Sequence, residues 1–228
     1  MRPGFFCVLE GIDGSGKSTL IQAIRDHILE TGLEECFGPA FTSFGILSEP
    51  TQGPTGRRIR EHLKRQDDLS RQDWLDLFYT DRYVNVEQNI QPGLAKGELL
   101  FQDRYFYSTA AYQGDPGKSP RCKDIVRASE KAGFPQPDLI VYMDIAPEVA
   151  LERIQKSRRA QESFETLAEL SRIHRNYQQI LDERFLPLDG AILKSDAILR
   201  LNAERDRKEL LEAVFARIYK FLVIRGNH

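Results

Sequence analysis

The chain has 228 residues, 41% of them hydrophobic, which supplies one sizeable core and does not call for a second. Its 32 basic and 34 acidic side chains cancel to a formal net charge of -2, so no whole-molecule field favours nucleic acid or a membrane surface, and any anion site must be local. Cys7, Cys36 and Cys122 lack metal-ligand spacing, and no signal peptide or apolar run near the roughly 18 residues of a membrane span is present, so a soluble, cytoplasmic protein is expected.

Phe5 to Glu10 is a short apolar run that stops at Gly11, the pattern of a strand buried on both faces. From Lys17 a helix is predicted, with Leu20, Ile21, Ile24 and Ile28 on one face and Gly32 as its stop after Thr31. Between them lies Gly11-Ile12-Asp13-Gly14-Ser15-Gly16-Lys17-Ser18, followed by Thr19. Glycines here permit positive φ and close main-chain approach, so backbone N–H groups can wrap a polyphosphate while the helix points its positive end at the anion. In such a loop Lys17 reaches the β- and γ-phosphates and the Ser18 hydroxyl ligates Mg2+.

Further strands are predicted at Phe41–Leu47, Glu98–Gln102, Leu139–Met143 and Ala197–Leu201, and the amphipathic stretches between most of them predict a parallel sheet with helices on both faces. Asp73–Ile90 and Asp206–Val223 read as helices, the second built on Leu210, Leu211, Val214, Ile218 and Leu222. Glycine and proline in Gly114–Cys122 mark one weakly ordered stretch, and Gln155–Ser163 is a second. Asp103 follows the strand at Glu98–Gln102, where a carboxylate either organises Mg2+ or caps a helix. Arg104 beside it favours the first reading, because a guanidinium there can hold an acceptor phosphate opposite the metal.

The chain resembles the thymidylate (dTMP) kinase family in Glu10–Thr19 (EGIDGSGKST), Glu49-Pro50 with Gly56–Arg60, Phe78–Arg82 (FYTDR), Asp103–Tyr105 (DRY), Ser108–Gly114 (STAAYQG) and Pro137–Ile154 (PDLIVYMDIAPEVALERI). The loop alone marks only a phosphate-loop protein, whereas the DRY, AYQG and PDL segments at these separations are specific to the family. The resemblance implies a P-loop nucleoside-monophosphate-kinase-like α/β fold, three layers deep, with a central parallel sheet of about five strands. It also implies a single domain over residues 1–228 with a mobile lid at about 155–165, and a homodimer. The implied reaction transfers the γ-phosphoryl group of ATP, with Mg2+, to dTMP, giving ADP and dTDP.

Several residue roles follow from the resemblance. Phe78 and Arg82, four apart on one helix face, would stack on the pyrimidine and donate to its O4; taken alone, the residues favour a core phenylalanine and a solvated surface arginine, and the resemblance reverses that preference. Asp13 would accept from the sugar 3′-hydroxyl, Tyr112 would crowd the 2′ position, and Thr109 and Gln113 would sit near the base; a buried Tyr112 satisfied by backbone is the competing reading. Lys156, Arg158 and Arg159 resemble the lid that closes over ATP. Gly14 stands where other members carry arginine in the loop, so Arg158 or Arg159 would join Lys17, Asp103 and Arg104 in catalysis. Ser48 departs from the basic residue many relatives carry before Glu-Pro, leaving the acceptor phosphate to Arg104 and Arg60, and Arg159–Phe164 matches the usual lid only loosely. A phosphomonoester is already largely dianionic at neutral pH, so no catalytic base is required. Rival acceptors are dUMP, another nucleotide or a deoxynucleoside, since one methyl is worth only about 1–3 kcal/mol of discrimination. A nucleotide-dependent switch protein is the rival of another class, disfavoured because the guanine-reading Asn-Lys-x-Asp segment is missing.

Overall fold

All six residues of strand β1 (Phe5–Glu10) are buried, as a central strand covered on both faces requires. The structure is a computed structural model and describes residues 4–115, 117–157, 164–182 and 197–226. After β1 come helix α1 (Lys17–Thr31), the short α2 (Leu33–Phe37) and a 3₁₀ turn at Gly38–Ala40, then β2 (Phe44–Ser48), α3 (Pro54–Arg65) and α4 (Arg71–Asn85). A π-helical segment, Val86–Ile90, leads into α5 (Gln91–Ala95), β3 (Leu99–Asp103), α6 (Phe106–Gln113) and α7 (Cys122–Lys131). The chain continues with β4 (Leu139–Asp144), α8 (Pro147–Lys156), α9 (Leu167–Ile180), β5 (Ile198–Asn202) and α10 (Arg207–Gly226).

The five strands are all parallel in the order β2-β3-β1-β4-β5, between helices on both faces, which is the expected three-layer α/β/α arrangement. From β1 the chain crosses to edge strand β2, returns to β3 beside β1 and then passes over β1 to β4 and β5, so the direction of winding reverses at the carboxyl ends of β1 and β3, where such sheets bind ligands. Register brings Leu9 and Ser48 to either side of Asp103, so the residues that follow β1, β2 and β3 meet at one edge. No described helix is long and apolar enough to cross a membrane.

Differences from the expected elements have local causes. The strand expected from Phe41 begins at Phe44, because Phe41 spends its apolar ring on edge contacts with Phe5 and Phe37. The expected helix Asp73–Ile90 starts at Arg71 behind a capping box, in which the Ser70 hydroxyl accepts from Asp73 N and the Asp73 carboxylate accepts from Ser70 N. It then widens into the π segment at Val86. Gly32, with φ 97°, ends α1 after Thr31. The stretch Gly114–Cys122 contains no helix or strand before Cys122, yet Asp115 accepts from Gly117 N and Lys118 N and pairs with Arg71; Pro116 lies outside the described residues.

Candidate active site

The loop after β1 runs through positive φ at Gly11, Gly14 and Gly16. At Gly14 the need for glycine is also steric: a Cβ would lie 2.4 Å from the Ala150 carbonyl oxygen of α8, so this position has no room for a side chain. Helix α1 begins with no side chain capping its N-terminus, which leaves its first N–H groups to an anion. Lys17 is buried, and its Nζ donates to Gly11 O at 2.9 Å, Ile12 O at 3.0 Å and Ser15 Oγ at 3.3 Å. Burial, followed by the nearby Arg104 charge, brings its ammonium down to about 8.

Ser18 Oγ donates to Asp103 Oδ2 at 3.0 Å, while the buried Oδ1 of Asp103 has no hydrogen-bond partner. Two hard oxygens side by side, one of them unsatisfied, fit Mg2+ shared with phosphate oxygens. The groove beside the loop is walled by α8 and the start of α10. There Arg153 Nη2 donates to Ala203 O at 3.1 Å, and its Nη1 lies 3.9 Å from where a Gly16 Cβ would sit. Arg205 and Arg207 line the same groove. None of these three arginines stood out in the sequence; the available signal was helical phase, which puts Arg153 next to the buried Ile154 of α8.

Across the loop from that groove, Arg104 is one of two non-glycine residues with positive φ among the described residues, at 66°. Its Nη2 donates to Asp13 Oδ1 at 2.6 Å and its Nη1 to Gly11 O at 3.2 Å and Ser108 Oγ at 3.3 Å, with the guanidinium 5.0 Å from the Tyr112 ring centroid. Tyr112 donates its hydroxyl to Asp13 Oδ2 at 2.8 Å. Asp13 therefore turns away from the phosphate cradle and towards Arg104 and Tyr112, as expected of a carboxylate beside an anion site.

Asp13, Arg104 and Tyr112 form one wall of a cavity lined by both apolar and charged side chains. Phe78, stacked on Trp74 at 5.9 Å, forms another, and Pro50, Leu63 and Phe164 supply the remaining apolar surface. Arg82, only 1% exposed, reaches this cavity from α4. Its Nε and Nη2 grip Glu49 at 2.9 and 2.7 Å and its Nη2 donates to Thr109 Oγ1 at 2.9 Å, but Nη1 has no partner. Burial pushes the Glu49 carboxyl up, and Arg82 and Asn85 oppose that rise. An unpaired guanidinium N–H beside an exposed ring face suits a flat ligand with an acceptor oxygen.

The remaining expected residues are placed as follows. Thr109 lines the cavity, whereas Gln113 is buried outside its wall with Nε2 unpartnered. Arg60 lies away from the cavity wall: it donates to Pro50 O at 2.7 Å, Thr51 O at 2.5 Å and Gln52 Oε1 at 3.1 Å, which ties down the turn after β2. Arg158, Arg159 and most of the expected lid lie outside the described residues; Lys156 pairs with Glu152 on α8. Phe164, not anticipated as a wall residue, meets Trp74 and Tyr112 edge-on at 5.8 and 5.6 Å.

The family model for thymidylate kinase matches residues 9–195. A thymidylate kinase of Leptospira borgpetersenii serovar Hardjo-bovis is 40% identical over 185 residues, covering 81% of this chain and 85% of that protein. One from Akkermansia muciniphila is 36% identical over 200 residues, covering 88% of this chain and 90% of its own length.

Proposed function

The chain belongs to the thymidylate kinase family, and from that premise we propose how its residues divide the work of moving the γ-phosphoryl group of ATP to dTMP, giving ADP and dTDP. It is an ATP-dependent phosphotransferase, and its family implies use of Mg2+. The main-chain amides of residues 11–19 and Lys17 hold the triphosphate. Ser18 and Asp103 would hold Mg2+, which supplies charge neutralisation on the phosphate oxygens. Arg104 aims the acceptor phosphate, Asp13 and Tyr112 take the sugar edge, and Phe78 with the unpaired N–H of Arg82 reads the pyrimidine face and its O4. Cytosine offers an amino donor at that position, so two donors would face each other and the base would be rejected. A lid at about 155–165, with Arg158 or Arg159, completes the donor site of the single domain, and Arg153 lies close enough to the loop to share the charge.

One observation carries this reading: the Asp13–Arg104 pair stands between a phosphate cradle and a cavity lined by Phe78 and Arg82, whose buried Nη1 is an unsatisfied donor. Two copies of the chain assemble through the outer face of α4, where Tyr83 and Val84 are exposed. A cytoplasmic location suits the three free cysteines. The test is an ADP-release assay across the nucleoside monophosphates: dTMP ranks first, and Lys17→Ala removes turnover. The reading is wrong if dTMP ranks below dUMP or another acceptor.

A further inference from the structure

Glu10, the last residue of β1, is a fully buried carboxylate that accepts four hydrogen bonds, none from a basic side chain. Its Oε1 takes Tyr105 N at 2.9 Å and Ser108 N at 3.3 Å; its Oε2 takes the Ser108 hydroxyl and the Tyr177 hydroxyl of α9, the latter at 2.8 Å. A carboxylate this deep persists only because every lone-pair direction is used. The cap residue of α6, Tyr105, provides no capping side chain, so Glu10 satisfies that helix end from another strand.

These bonds surround Arg104. The peptide on its C-terminal side is held from two directions, by Tyr105 N to Glu10 and by Gln102 Nε2 to Arg104 O at 2.8 Å, while Arg104 N is tied to Leu9 O. That grip keeps a non-glycine residue at φ 66°, a conformation that persists only where the surroundings over-determine it. At the other end of the side chain, Ser108 donates to Glu10 and so turns its lone pairs towards Arg104 Nη1. We propose that Glu10 is a positioning residue for the acceptor phosphate: it sets both the backbone and the guanidinium of Arg104, with Tyr177 holding the carboxylate from α9. The proposal rests on the role given above to Arg104.

The experiment is a double-mutant cycle of Glu10→Gln with Arg104→Ala, with KM and kcat measured for each substrate. Glutamine keeps the shape and removes the charge. Glu10→Gln is expected to lower kcat/KM for dTMP by about tenfold, with the KM for ATP within about twofold of the parent, and to have under about twofold effect once Arg104 is alanine. An equal loss towards both substrates, or the same loss in the Arg104→Ala background, overturns the proposal, since it marks Glu10 as holding the fold and nothing more. Should Glu10→Gln not fold, Tyr177→Phe removes one of the four donors and must give a smaller, dTMP-selective loss that disappears in the same background; any other pattern overturns the proposal. If Arg104→Ala alone leaves dTMP kinetics unchanged, the assignment of Arg104 itself falls; if it impairs them while Glu10→Gln is silent, only the positioning role falls.

Discussion

Lys17 is a cation held where a cation is costly, surrounded by loop carbonyls and close to the Arg104 charge. Below about pH 8 it is an ammonium and above that increasingly a neutral amine, while a bound polyphosphate stabilises the charged form and returns its affinity for protons towards the ordinary lysine range. Nucleotide binding at about pH 8.5 should therefore draw a proton onto the protein, and binding at about pH 7 should draw little through this group. Calorimetry in buffers of different ionisation enthalpy measures the uptake, and Lys17→Met should abolish its rise with pH. Lys17, Ser18 and Asp103 were singled out from a local loop and a strand end, and the fold brings the loop to that strand end, with Ser18 Oγ 3.0 Å from Asp103 Oδ2. Arg82 is different: its sequence neighbours favour a surface arginine, and Glu49 and Thr109, thirty-three and twenty-seven residues away, are what make its burial tolerable.

Helix α4 carries both Phe78 and Arg82, so its stability and rotation determine whether the cavity exists. Its N-terminus is closed by the Ser70–Asp73 box, and Ser70→Ala should cost about 1 kcal/mol. In a chain of this length that lowers the thermal midpoint by roughly 2–4 °C, measurable by calorimetry, and an unchanged midpoint would mean the cap is redundant. Apolar periodicity predicted the helix but neither its Ser70–Asp73 cap nor the π segment at Val86–Ile90. A π segment of five residues is about one turn, too short for its altered side-chain spacing to stand out from the apolar periodicity of the helix around it. Phe41 misled for a related reason: an aromatic ring extends an apolar run equally well from inside a strand or from beside one.

The groove proposed for ATP, between α1, α8 and α10, and the cavity proposed for dTMP, between α4 and α6, both open at the carboxyl end of the sheet. A ligand that binds only the folded chain stabilises it by about 2.7 kcal/mol at one hundred times its Kd, worth roughly 5–11 °C here. dTMP and ADP should each give such a shift in thermal unfolding, and Arg82→Met should remove the dTMP shift while sparing that of ADP. If the dTMP shift survives, the cavity around Phe78 is not where the acceptor base sits.

What could be read from the chain alone was whatever short stretches enforce on their own: the turn that needs glycine at residues 11–16, the helix that follows it, and apolar strands alternating with helices. These depend on backbone sterics and periodicity, which act over a few residues. Packing settled the rest, because the deciding partners are distant in sequence: Tyr177 on Glu10, Glu49 on Arg82, the Ala150 carbonyl over Gly14, and the turn carbonyls that hold Arg60. Whether a polar side chain faces solvent, a ligand or another buried group depends on who else arrives in the same place, and a linear text does not contain that information.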